Sequence, residues 1–266
     1  MKYTVITINY NDAEGLGHTI ESVISQTFVD FEFVVIDGGS TDDSVDTIKR
    51  YENRIDFWVS ESDKGIYHAM NKGVKHAHGD YCIFMNSGDR FYNAHVLESL
   101  LPIVDSADVI VGKVVISESD YVISPSPAAG NFTMYSLYSG AIPHQGAFIK
   151  TELLRKYPYD EELKIASDWK FFVQTLIMNN CSVDFVDLFV ARYNLDGVSS
   201  TNPELLRLEK EKVLASMYPE RVLADYRNMK KSECLTASLC PDLRQNYGID
   251  RILYRIGKIL LWFRHV

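Results

Sequence analysis

Three aspartates stand where strand-like runs give way to turns. Asp37 closes the run Phe31 to Ile36 (FEFVVI) and leads into Gly38-Gly39-Ser40. Asp63 follows the run ending at Val59. Asp89 follows Tyr81-Cys82-Ile83-Phe84-Met85 through Asn86-Ser87-Gly88. A fourth, Asp168, lies much later, in Ser167-Asp168-Trp169. A carboxylate at a strand end suits a ribose hydroxyl or a base N–H. Asp89, beside a turn, also suits Mg2+ or Mn2+, hard ions that take oxygen ligands and share them with phosphates. Any one such Asp is more often a turn former or a helix cap. Three at successive strand ends make a site if the strands are parallel, because ligands of open α/β sheets bind beyond the carboxyl ends of the strands. Together they suggest a nucleoside diphosphate held by a metal.

The elements that must position these groups show in the periodicity. Tyr3 to Ile8 (YTVITI) is β-rich and apolar, and Leu16, Ile20, Val23 and Ile24 then share a helical face. Phe31 to Ile36 precedes a helix carrying Val45, Ile48 and Tyr51. Ile55 to Val59 precedes one carrying Ile66, Ala69, Met70, Gly73 and Ala77, which stops near Gly79. This alternation over about a hundred residues predicts an α/β fold with a parallel, doubly wound sheet. Beyond residue 100 the rhythm changes. Asp108 to Ile116 and Tyr121 to Ser124 read as a hairpin, and Pro125 to Gly140 has no clear period, as a functional loop would. Leu163 to Met178 reads as a helix, and Val183 to Val186 and Phe189 to Tyr193 as two short strands. Asn194 to Pro203 is a loop by composition. Glu204 to Met217 is helical, a less regular charged region follows, and Asp250 to Val266 ends the chain as a basic amphipathic helix. That last helix suits a membrane surface. The alternative is packing on its own domain or on a second copy of the chain in a homodimer.

The 266 residues suit one large domain with an appendage, here 1–200 and 201–266. The net charge of −9 disfavours nucleic acid as a partner. The four cysteines, Cys82, Cys181, Cys234 and Cys240, form no CxxC pair and no zinc spacing. A reducing cytoplasm is the expected compartment, peripheral at the inner face of the cell membrane if the last helix binds lipid. Met1-Lys2-Tyr3 leads straight into a strand, not a secretory leader, and no apolar run is long enough to span a bilayer. Neither GxxxxGK[ST] nor GxGxxG follows the first strand.

The stretches TVITINYN (4–11), EFVVIDGGSTDD (32–43), ESDKGIYHAMNKG (61–73), DYCIFMNSGD (80–89) and HQGAFI (144–149), with Ser167-Asp168-Trp169, resemble the inverting glycosyltransferases of the GT-A fold, the large family numbered two. The likeness covers roughly residues 1–195. It implies a nucleotide-sugar donor, usually a UDP-sugar, a divalent cation (Mg2+ or Mn2+), and a saccharide or lipid-linked saccharide acceptor. By position it puts Tyr10 and Asp37 beside the uracil and ribose, and Asp63 and Lys64 near the base or diphosphate. Asn86 and Asp89 fall in the family's Asp-x-Asp region, which here reads Asn-Ser-Gly-Asp. Asp89 is then the carboxylate left to meet the metal, with His144 as a candidate second ligand. Asp168 matches the family's general base, although Ser167 stands where an acidic residue is common.

Two other readings compete. A sugar nucleotidyltransferase would need a Gly-rich basic loop for a triphosphate, and Ile8-Asn9-Tyr10-Asn11 has neither Gly nor Lys. A scaffold that holds a nucleotide without turnover is kept open by the Asn-Ser-Gly-Asp departure.

Overall fold

A computed structural model describes residues 2–103, 107–116, 121–123, 132–193 and 202–239. The basic helix read over 250–266 and the loop over 194–201 lie outside the described residues. The chain divides into two compact units, Met1–Val213 and Leu214–Val266. The first contains a mixed sheet of nine strands, ordered β3-β2-β1-β4-β8-β6-β9-β5, with β7 paired to β6.

Four strands form the parallel half: β1 (Tyr3–Asn9), β2 (Phe31–Asp37), β3 (Phe57–Ser60) and β4 (Tyr81–Phe84). β1 and β4 are buried along their whole length, as mostly apolar central strands are. Alternate residues serve opposite faces. Val5, Phe33 and Val35 join Leu16, Ile20 and Val23 of α1 (Ala13–Ile24) and Ile48 of α2 (Ser44–Arg50) in one cluster. Each such apolar side chain contributes about 1.5–3 kcal/mol when fully buried. On the other face, α3 (Ile66–His76) lies against β1 and β2. Its Gly73 permits close approach: a Cβ there would stand 2.5 Å from Ile6 Cγ2. Helices on both faces make this half doubly wound.

The second half departs from the parallel expectation. β8 (Ala147–Lys150) runs antiparallel to β4, and β6 (Val109–Ile116) antiparallel to β8. β6 and β7 (Val122–Ile123) form the expected antiparallel pair. The two short strands read over 183–193 are one, β9 (Val183–Tyr193), parallel to β6 with register shifts near Lys113. β5 (Arg90–Phe91) pairs antiparallel with β9. Part of the aperiodic segment 125–140 is a helix, Met134–Ser139, started by a reciprocal cap between Thr133 and Ser136. Helix Ser167–Phe172 begins later than the period suggested and continues as a π-helical turn, Val173–Met178. Two more helices follow, Pro203–Met217 and Glu220–Leu239; the second occupies a region that reads as irregular from charge alone. No helix among the described residues is long and apolar enough to cross a membrane.

Candidate active site

A cavity of about 590 Å³ runs along the carboxyl edge of the parallel strands. The strand order β3-β2-β1-β4-β8 fixes the sequence of groups along it. Asp63 follows β3, Gly38 and Gly39 follow β2, Tyr10 follows β1, Asn86 and Asp89 follow β4, and His144 precedes β8. Asp168 closes the far end, with Ile165 and Tyr193.

At the first end, Tyr10 and Asp63 converge on Gly38. A Cβ on Gly38 would lie 3.3 Å from Tyr10 Cδ2 and 3.5 Å from Asp63 Oδ2. Tyr10 is 66% exposed, so its ring face is free to be covered by a planar ligand. The Asp63 side chain is only 8% exposed. Its Oδ1 accepts from Lys72 Nζ at 2.5 Å and meets His68 Nδ1 at 2.9 Å, whereas its Oδ2 is buried without a partner among the described residues. An unpartnered buried carboxylate oxygen is costly unless a ligand supplies the donor. Lys72 also pairs with Glu61 at 2.9 Å. Burial works against its charge, but Asp63 and Glu61 prevail and raise its pKa. Lys64 is exposed and does not line the cavity; its neighbours Asp63 and Gly65 do.

Asp37 does not reach the cavity, contrary to the place its strand-end position implied. It is wholly buried. Its Oδ1 accepts from Asn9 Nδ2 (2.7 Å) and Ser40 Oγ (2.5 Å), and its Oδ2 from Ser40 N (2.9 Å) and Ser60 Oγ (2.6 Å). Burial opposes ionisation, yet the hydrogen bonds from Ser40, Ser60 and Asn9 outweigh it and hold the carboxyl below its usual range. Asn9 in turn accepts from Ser87 Oγ at 2.8 Å. One carboxylate thus ties the ends of β1, β2, β3 and β4 together beneath the cavity floor.

In the middle, Gly88 has φ +90°, a left-handed turn that favours glycine. The Thr19 hydroxyl clasps this turn from α1, accepting from Gly88 N (3.0 Å) and donating to Asp89 O (2.7 Å). Asp89 is 5% exposed and lines the cavity. Asn86 Oδ1 is buried with no hydrogen-bond partner among the described residues. Among the described residues no group of three His, Cys, Asp or Glu could hold a metal by itself. Asp89 and Asn86 Oδ1 nonetheless are hard oxygen donors of the kind that suits an ion completing its shell with water and phosphate.

His144, the expected second metal ligand, has both ring nitrogens engaged. Nδ1 stands 3.1 Å from Asp168 Oδ2, and Nε2 stands 3.2 Å from Asn86 Nδ2. In the neutral ring, Nδ1–H donates to Asp168 and Nε2 accepts from the Asn86 amide. Burial lowers the His144 pKa, but the Asp168 carboxylate overrides this and raises it, with Asp89 adding to the effect. Asp168 also accepts from Tyr67 Oη at 2.9 Å. Burial raises the Asp168 pKa; the His144 and Tyr67 bonds more than offset that and leave it lowered, so the group is ionised at neutral pH. Tyr67, 6% exposed on the first turn of α3, has its phenol pushed up by burial and by Asp168. Sequence reading missed it because one Tyr on an apolar helical face looks like core. Its place two residues after Gly65, beside the Asp63 turn, is the one available signal.

The structure therefore gathers Tyr10, Asp63, Asn86, Asp89, His144 and Asp168 around one cavity, and leaves Asp37 below it and Lys64 outside it. The profile described as "Glycosyl transferase family 2" matches residues 4–180. An uncharacterised glycosyltransferase of Mycobacterium tuberculosis is 32% identical over 212 residues, covering 74% of this chain and 76% of that protein. The crystal structure of S. aureus TarS 1–349 in complex with UDP-GlcNAc has TM-score 0.66 at 22% identity, covering 86% of this chain and 72% of that one. The chain spans 43% of a longer TarS structure. A mannosyltransferase from Pyrobaculum calidifontis in complex with GDP-Man and Mn2+ has TM-score 0.55 at 20% identity, covering 72% and 56%. These structural likenesses speak for the fold.

Proposed function

The chain belongs to glycosyl transferase family 2, and from that premise we propose an inverting transferase that moves a sugar from a UDP-sugar to a hydroxyl of a polysaccharide or glycolipid precursor. The observation that carries this reading is the single cavity with an orphaned carboxylate oxygen, Asp63 Oδ2, at one end and the ionised, doubly held Asp168 at the other. Asp63 Oδ1 is committed to Lys72 and His68, so the side chain offers one acceptor. Uracil presents a single ring N–H; guanine presents an N–H and an amino group side by side and would use both oxygens. The one free oxygen favours a uridine nucleotide stacked on Tyr10.

The diphosphate then lies past Asn86 and Asp89. A divalent cation, when bound there, would neutralise charge on the departing diphosphate, and Asp89 with Asn86 Oδ1 are the groups that would hold it. Asp168 accepts the proton of the acceptor hydroxyl as that oxygen bonds to the anomeric carbon. The bond from that carbon to the diphosphate oxygen breaks on the opposite face, so configuration inverts. Tyr67 and His144 keep the Asp168 carboxylate charged and aimed. The chemistry fits a carboxylate that starts ionised and has a lone pair left for the proton.

The test is UDP release from a panel of UDP-sugars, with and without Mn2+, and the anomeric configuration of any product. Transfer with inversion from at least one UDP-sugar is expected. UDP binding with no transfer or hydrolysis on any donor–acceptor pair would favour a nucleotide-binding scaffold. Pyrophosphate release from UTP and a sugar phosphate would favour a nucleotidyltransferase.

A further inference from the structure

The family match ends at residue 180, yet helix Pro203–Met217 beyond it grips the loop that leads to Asp168. Glu209 on this helix is 8% exposed. Its Oε1 accepts from the backbone N–H of Lys164 at 2.7 Å, and its Oε2 from those of Ile165 and Ala166, both at 3.0 Å. Three consecutive amides converging on one anion form an arrangement usually met around a bound phosphate. Here the protein supplies the anion itself. Burying a carboxylate is unfavourable unless it is fully hydrogen-bonded, and these amides meet that requirement. Lys164 and Ile165 line the cavity, and Ala166 leads directly to Ser167 and Asp168.

The next residue of the helix strengthens the grip. Lys210 Nζ donates to Gly140 O at 3.2 Å and stands 4.9 Å over the Trp169 ring. Trp169 Nε1 donates to Leu137 O at 2.9 Å. One helical turn therefore holds the segment 164–166, part of which lines the cavity, and the segment 137–140 to which Trp169 bonds. The donor end is built separately, on the turns after β1, β2 and β3. We propose that Glu209 is a positioning residue for transfer: it holds the wall at 164–166 and so sets the distance and direction at which Asp168 meets the acceptor hydroxyl. This rests on the reading of Asp168 as the proton acceptor.

The experiment uses the full chain with Glu209→Ala, Glu209→Gln and, in parallel, Asp168→Asn. Turnover is read with the UDP-sugar that the wild type uses, donor binding by calorimetry with UDP, and loop order by amide exchange at 164–166. A displacement of about 1 Å at the reacting groups can cost on the order of 100-fold in rate. The expected result for Glu209→Ala is a kcat lower by about 10- to 100-fold, donor KM and UDP affinity within about twofold, and faster exchange at the three amides. Glu209→Gln keeps an acceptor oxygen but turns an amino group toward the loop, so it recovers part of the loss. Glu209→Ala folded with wild-type kcat overturns the proposal, as does a parallel fall of kcat and UDP affinity. If Glu209→Ala does not fold, Glu209→Gln decides: unchanged kcat overturns the proposal, and a lowered kcat with unchanged UDP affinity supports it. Wild-type turnover in Asp168→Asn would instead remove the base assignment, whatever Glu209 does.

Discussion

Replacing Asp37 with Asn separates a buried tie between strands from a group that binds ligand. The two side chains have the same shape, so the effect comes from charge and hydrogen. The carboxylate accepts four hydrogen bonds, at 2.7, 2.5, 2.9 and 2.6 Å. In the Asn variant the remaining oxygen keeps at most one side of this set. The serine hydroxyls can rotate to donate elsewhere, but either Ser40 N–H or the Asn9 amide then faces an N–H. Two charge-assisted bonds at roughly 1.5–3 kcal/mol each are lost, about 3–6 kcal/mol in all. For a unit of this size that is a fall in Tm of about 6–24 °C. The pH dependence has a definite sign. The folded pKa lies below the ordinary 3.8, so the stabilisation is full above that value and is lost as pH falls through the folded pKa. In the Asp37→Asn protein this acid-sensitive component disappears. Thermal unfolding at pH 7 and at about pH 4 to 3, with UDP calorimetry on the same protein well below its Tm, checks both statements. Unchanged stability with abolished UDP binding would refute the reasoning and return Asp37 to the ligand.

Other outcomes follow from the same geometry. Asp63→Ala removes the orphaned acceptor and weakens UDP binding by about tenfold or more by calorimetry, since a hydrogen bond to a charged group is worth about 1.5–3 kcal/mol. Tyr67→Phe deletes one bond to Asp168 with little change of shape; kcat falls by about tenfold, and the Asp168 pKa rises, which shifts the acid limb of the rate profile upward. Glu32, buried and bonded to Thr4 Oγ1, His78 N and His78 Nδ1 at 2.7 Å each, resists burial through those bonds and has a lowered pKa. Its contribution is present above the ordinary 4.5 and lost as pH falls through the folded value, so Glu32→Gln flattens the acid arm of the stability curve measured by urea unfolding.

The parallel half of the sheet was readable because each strand is a mostly apolar, β-rich run that ends in a turn, and each helix shows one apolar face. The second half was less readable. β8 and β6 are also short, mostly apolar runs, of four and eight residues, and nothing in such a run tells parallel from antiparallel pairing. At the site, Asp63 and Asp89 were visible as carboxylates at turns, and Asp168, on a helix, through the family resemblance. Asp37 looked the same from sequence; whether such a group faces a cavity or the floor beneath it depends on Ser40, Ser60 and Asn9, which come from three segments. Tyr67 and Glu209 act through contacts 101 and about 44 residues away, and no local pattern encodes those.

In the proposed reaction Asp168 takes the acceptor proton in a cavity whose donor end is separately built. The most direct measurement is single-turnover transfer by Asp168→Asn, with UDP affinity determined on the same preparation. A loss of about 10²- to 10⁴-fold in rate with UDP affinity within about threefold is the predicted result. Wild-type transfer by the Asn variant would contradict the account.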